Sequence, residues 1–171
     1  MMRQIVYSKP LLQNSVSAPL LSWDIFMEGY WKNMSLAEDK LELDKLARMQ
    51  SWQQKWNIET LLLKQGKVII VTDPFLHIVF ASSNITAMNG YTVAEITGKT
   101  PKLFQGENTD KNIANDIRNA IQERRTFHVS LINYKKNKEP YQCNIEGSPV
   151  FNREKQLVNF IAFETPEYYA Y

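Results

Sequence analysis

The sequence predicts an α+β fold, a five-stranded antiparallel sheet with short helices over one face and a helical extension ahead of it, and three observations predict it. Residues 126–164 contain three alternating segments, TFHVSLINYKK, EPYQCNIEGSPVF and QLVNFIAFE, separated by the turn-forming NKE and NREK. Residues 67–82 hold two β-branched apolar runs, KVIIVTD and HIVFAS, joined by the turn-like DPFL. Between the two groups the periodicity is helical, so consecutive strands pair and the helices must cover one face of the resulting sheet, leaving a cup.

Taken in order, residues 1–21 carry Pro10 and Pro19 among Ser, Gln and Asn without periodicity, which predicts a flexible arm. An extension over 22–65 follows. SWDIFMEGYWKNM places Trp23, Phe26, Met27, Tyr30 and Trp31 at helical spacing, a short amphipathic helix. A second helix is expected from Ser35 to Trp56, because Ser35 and Glu38 have capping-box spacing and Leu43, Leu46, Met49, Trp52 and Trp56 recur every three or four residues. The folded domain occupies 66–165, with strands expected near Val68, His77, Phe127, Tyr141 and Leu157. In its middle, SNITAMNGYTVAEITGKTPKLF is too rich in Asn, Gly and Thr for a long helix, whereas NTDKNIANDIRNAIQERR keeps one through Ile113, Ile117, Ala120 and Ile121. Residues 166–171 form a tail.

Composition bounds the function. A chain of 171 residues suits one domain with an extension, and 44% hydrophobic with 22% charged residues is ordinary for a globular protein. No apolar run approaches the roughly 20 residues that span a bilayer, and the N-terminus lacks a secretory pattern, so no membrane role is expected. A single cysteine, Cys143, agrees with a reducing compartment, and a cytoplasmic protein is expected. A formal charge of +2 gives no footprint for nucleic acid. No catalytic Ser-His-Asp order, carboxylate pair or phosphate-binding Gly loop is present, so the chain is not expected to be an enzyme. His77 and His128 have no partner at ligand spacing and read as surface or packing histidines, leaving no metal site.

The pieces VTDPFLHIVFAS, NGYTVAEITGK, GKTPKLFQG, IRNAI, LINYKKNKEPY and SPVF occur in the order and spacing of a PAS domain, and the chain from about 67 to 164 resembles the light-oxygen-voltage type. The resemblance implies a flavin cup with named positions. Lys102 and Arg118 stand where that type has the two arginines that hold the flavin phosphate, Gln105 matches the glutamine of its cysteine-bearing motif, and Asn133 matches one of two asparagines on the ring edge. Thr100 replaces the motif's Asn, Cys143 replaces the second asparagine, and Glu164 replaces the final-strand glutamine with an acceptor-only carboxylate. Pro101 stands in the place of the photochemical cysteine and has no thiol to add to a ring.

Each of these residues also has a simpler reading: Cys143 as a small core hydrophobe, Lys102 and Arg118 as solvated charges, Gln105 and Asn133 as loop-bracing amides, and the four tryptophans as packing residues. Three functions stay open. The first is a sensory or regulatory protein without an effector domain, acting through dimerisation or an unidentified signalling partner, with a small-molecule ligand in the cup. The second is a flavin-binding photoreceptor or redox sensor unable to form a cysteinyl adduct, and the third is an interaction module with a filled cup. Flavin mononucleotide, another flavin and no cofactor are equally open. The apolar surface of residues 22–56 exceeds what one sheet face covers, and a homodimer through that segment is expected.

Overall fold

The computed structural model describes residues 17–167 of the chain, with side chains from Trp23 onward. Five antiparallel strands, β1 (Val68–Thr72), β2 (Ile78–Ala81), β3 (Phe127–Tyr134), β4 (Pro140–Phe151) and β5 (Leu157–Pro166), make one sheet in the order β2-β1-β5-β4-β3. The C-terminal strands pair in sequence: Leu131 faces Cys143 across β3 and β4, and Ile145 faces Glu164 across β4 and β5. β5 then closes against β1, with Val68 opposite Glu164 and Thr72 opposite Phe160. The five expected strand starts fall within one residue of those observed.

The extension differs from expectation. One uninterrupted helix, α1 (Ser17–Met49), replaces the two helices, and residues 17–21 of the expected arm belong to it; residues 1–16 lie outside the described part. Nothing in WKNM before Ser35 stops a helix, so the amides that a Ser35 cap would serve lie inside a continuing ladder. A capping box forms instead at Thr92, whose amide donates to Glu95 Oε2 at 2.9 Å, opening α3 (Val93–Ile96). α1 ends at Met49 rather than Trp56, because Ser51 turns the backbone left-handed at φ 52° and Trp52 leaves to bridge Asn152. The described residues fall into two units that divide between Trp31 and Lys32, and the second contains the sheet.

Strand alternation sorts the core into two layers. On the outer face, Leu36 and Leu43 of α1 and Leu62 of a π-helical turn (Thr60–Lys64) pack with Ile69, Val71, Val150, Ile161 and Phe163. Full burial contributes on the order of 1.5–3 kcal/mol for each of the three leucines. Trp52 and Trp56 stack edge to face at 5.9 Å on the same cluster, and Trp52 Nε1 donates to Asn159 Oδ1 at 2.9 Å. Asp39 of α1 ties the extension to the domain, its Oδ2 accepting from Ser83 N and Ser83 Oγ at 2.7 Å each. On the inner face Val68, Ile70 and Ile78 meet α2 (Ile85–Asn89), α3 and Phe104, while Leu131, Cys143 and Ile145 meet α4 (Lys111–Gln122) through Ile113 and Ile117.

Candidate ligand-binding site

Between the inner face and the helices lies a chamber of about 100 Å³. Its floor follows one row of the sheet, Ile70 opposite Ala162, Ala162 opposite Gly147, and Gly147 opposite Phe127. Small residues there would leave a flat slot, and the ring of Phe127 lies directly on Gly147, where any Cβ would overlap it. Leu76, Phe104, Ile117 and Ile121 supply apolar walls. Leu76 reaches its place from a left-handed turn, φ 70°, which Asp73 Oδ1 secures by accepting from the amides of Phe75 and His77 at 2.9 and 2.8 Å.

Asn133 and Glu164, both 4% exposed, line the chamber, as does the buried Thr72, whose Oγ1 has no hydrogen-bond partner. Asn89 Nδ2 and the Tyr141 hydroxyl are likewise buried without partners. Among the described residues, the one hydrogen bond to the Glu164 carboxyl is a weak one from the Cys143 thiol, at 3.7 Å. Burial pushes the Glu164 pKa up to about 7, so near neutrality much of this carboxyl is an acid with an O–H to donate. The reading of Glu164 as acceptor-only applies to its ionised form, which burial disfavours. The same burial, then the nearby Glu164, pushes the Cys143 thiol far above its usual range, and Cys143 is wholly enclosed. It sits in the sheet with Leu131 and Ile145, as the core reading expects, and the residues lining the chamber do not include it.

An outer vestibule of about 420 Å³ shares Leu76, Pro101, Gln105, Ile117 and Ile121 with the chamber and adds Thr100, Lys102 and Arg118. The loop of Lys102 and Gln105 is built by its sequence. Pro101 starts a 3-10 turn (Pro101–Phe104) that buries Phe104 and leaves Lys102 outward. Gly106 follows because the ring of Tyr134 occupies the space of a side chain there, and Tyr134 Oη accepts from Asn108 N at 2.8 Å. Thr109 locks the loop to β3 by donating to Ile132 O at 2.7 Å while accepting from Gly106 N at 2.9 Å. Asp110 caps α4, accepting from Asn112 N at 2.7 Å, and α4 carries Arg118, whose Nη1 donates to Asn115 Oδ1 at 3.0 Å. Gln105, expected inside the cup, lines both chamber and vestibule and is largely exposed where the two meet, just past the turn that buries Phe104.

The arrangement therefore brings Asn133 and Glu164 to one chamber and Thr100, Lys102 and Arg118 to its entrance, with Pro101 and Gln105 shared between the two, and leaves Cys143 in the sheet. Thr72, Phe127 and Gly147 escaped the sequence reading. The signal for the last two was a glycine inside an alternating strand, which marks a close approach by a neighbour. His77 pairs with Asp73 at 3.1 Å on the surface, and among the described residues no cluster could hold a metal. Nor, among them, is any helix long and apolar enough to cross a membrane.

A family model described as a PAS domain matches residues 66–165. Protein TWIN LOV 1 of Arabidopsis thaliana is 39% identical over 100 residues, 56% of this chain and 25% of that protein. The Blue-light-activated histidine kinase of Brucella abortus is 31% identical over 97 residues, 55% of this chain and 20% of that protein. The chain thus spans a quarter or less of the length of these relatives. Among solved structures, the dark structure of the blue-light photoreceptor Aureochrome1 LOV superposes with a TM-score of 0.61 at 23% identity, covering 68% of this chain and 86% of that one. A light-oxygen-voltage domain studied with a flavin analogue gives 0.61 at 20% identity, covering 67% and 87%. These two likenesses bear on the fold alone.

Proposed function

The chain belongs to the PAS domain family, and on that premise we propose that it is a sensory regulatory protein in which the state of the chamber is passed through the sheet to the helical extension. The observation that carries this reading is the two-sided packing of β5. Phe160, Ala162 and Glu164 line the chamber, while Phe163, next to Glu164, belongs to the outer cluster with its ring 6.0 Å from that of Trp56. Adjacent strand residues point to opposite faces of one backbone, so a shift of β5 on the chamber side repositions the layer that holds Leu36 and Leu43 of α1. The test is to overfill the chamber with Ala162→Leu and follow hydrogen exchange of amides 36–49. Altered exchange there supports the coupling, and exchange identical to the unsubstituted chain overturns it.

The output surface in this reading is α1. Trp23, Phe26 and Trp31 remain 63%, 64% and 60% exposed, whereas Trp52 and Trp56 are taken up by the sheet. A homodimer through residues 23–34 covers them, a narrower contact than 22–56. Two aromatics shared across an interface would contribute several kcal/mol before association entropy, at roughly 150–250 Å² each and about 25 cal/mol per Å². Sedimentation of the full chain against Trp23→Ser with Trp31→Ser decides it: a dimer that becomes monomeric supports the contact, and an unsubstituted chain monomeric at micromolar concentration overturns it.

The ligand reading favoured by the residues is a flavin held without a cysteinyl adduct. Lys102 and Arg118 at the vestibule suit a phosphate, the apolar walls exclude water, and the unpartnered Thr72 hydroxyl and Glu164 carboxyl offer hydrogen bonds to a polar ring. The chamber alone, at about 100 Å³, falls below the roughly 300 Å³ at which ligand sites begin, so a ring system spans chamber and vestibule with the Phe127 ring turned off Gly147. When bound, a flavin supplies light absorption and redox chemistry; Pro101 at the chamber wall supplies no nucleophile to it. Visible absorption and mass spectrometry of the denatured protein test this. A stoichiometric flavin supports it, while a colourless protein releasing no small molecule overturns it in favour of a filled interaction module.

A further inference from the structure

Glu164 is an ionisable side chain with 4% of its surface exposed, lining a cavity, with one weak thiol contact and, among the described residues, no cation paired with it. Cys143 and Tyr141 on β4 both feel its charge, and burial holds both protonated far above neutrality. Val68 of β1 and Ile145 of β4, its partners across the sheet, are apolar. Asn133 of β3 lines the same chamber with an uncharged amide, and Thr72, four residues along β1 from Val68, adds a hydroxyl without a hydrogen-bond partner. A buried carboxylate in such surroundings is expensive, whereas the neutral acid needs only an acceptor for its one O–H.

We propose that the chamber takes its ligand together with a proton, with Glu164 serving as a neutral acid whose hydroxyl donates to an acceptor atom on the edge of a planar heteroaromatic ring. The inference rests on the flavin reading of the cup and adds to it a proton that an amide in the same place would not require. No bond to the ligand is made or broken; where the free protein is ionised, a solvent acid gives its proton to the Glu164 carboxylate, and the O–H so formed donates to the ring acceptor. With a free-protein pKa of about 7, the fraction of chains ready to bind falls as pH rises through neutrality, and the ligand in turn raises the pKa of Glu164.

The experiment titrates the full chain, freed of co-purified ligand, with riboflavin between about pH 6 and pH 9, following quenching of flavin fluorescence. Riboflavin is used because a flavin phosphate itself titrates near pH 6. The expected affinity declines above neutrality, approaching about tenfold per pH unit, and Glu164→Gln binds with an affinity that no longer depends on pH. Calorimetry of the unsubstituted chain at pH 8 in two buffers of different ionisation enthalpy counts protons directly, and about one proton taken up per riboflavin is expected even if the variant fails to fold. A flat pH profile, no proton uptake, or an unchanged slope in Glu164→Gln overturns the inference while leaving flavin binding intact. Failure of riboflavin to bind either protein at any pH overturns the inference, and the flavin reading falls with it only if flavin mononucleotide also fails to bind.

Discussion

Replacing Gly147 with alanine tests the packing that shapes the chamber floor. The backbone of Gly147 is not left-handed, so alanine is admissible there by conformation, and in a strand it gains roughly 0.5–1 kcal/mol over glycine. The obstacle is the Phe127 ring, whose edge lies where the new methyl must go. Expelling it costs about 1–3 kcal/mol, as overpacking does, so Gly147→Ala is expected to destabilise by a net 1–2 kcal/mol or so. Phe127→Ala alone removes a half-buried ring and is expected to cost about 2 kcal/mol, below the range for fully buried phenylalanines. With the ring gone, alanine at 147 meets no clash, and the double variant is expected to be as stable as Phe127→Ala or slightly more so. Urea unfolding followed by tryptophan fluorescence, to which Trp52 and Trp56 on the sheet contribute, gives the four stabilities of the cycle. A coupling of about 1–3 kcal/mol is the expected outcome, and two substitutions that add to within about 0.5 kcal/mol would refute the contact.

Asp39→Ala strands the amide and hydroxyl of Ser83, both now bonded at 2.7 Å, and is expected to cost about 2 kcal/mol; faster hydrogen exchange in 36–49 than in β3 locates the loss at the α1 attachment. Glu164 has a folded pKa of about 7, above its ordinary 4.5, so the folded state binds more protons between those values and stability falls as pH rises through that window. Relative to Glu164→Gln, the unsubstituted chain is expected to lose on the order of 3 kcal/mol between about pH 4 and pH 8 in urea unfolding; parallel curves would show that Glu164 is not desolvated. Blue light on flavin-loaded protein is expected to leave the visible band unbleached by adduct formation, since Pro101 has no sulfur. Pro101→Cys is expected to introduce such bleaching, and its absence in a flavin-loaded variant would place residue 101 away from the ring.

The strands were legible in the sequence because alternation on a two-faced sheet is a local property, and VIIVT, FHVSLINY and LVNFIAFETP each declare a strand without reference to the rest of the chain. Pairing β3, β4 and β5 in order followed from hairpin-length connections. Asn133, Glu164, Lys102 and Arg118 were singled out by the resemblance of their motifs, not by periodicity, and in the fold they line the chamber or the vestibule. What the tertiary structure decided was everything that depends on what lies opposite. Whether Ser35 begins a helix or sits inside one depends on competition between a cap and a continuing ladder, and only the folded chain settles that competition, in favour of the ladder. Whether Trp52 and Trp56 extend a stripe or leave the helix to cover β5 depends on the bridge to Asn152, a hundred residues away. The charge of Glu164 was the least legible of all: one letter denotes an acid, but its protonation is set by desolvation, which arises only when β1, β4 and β5 close around it.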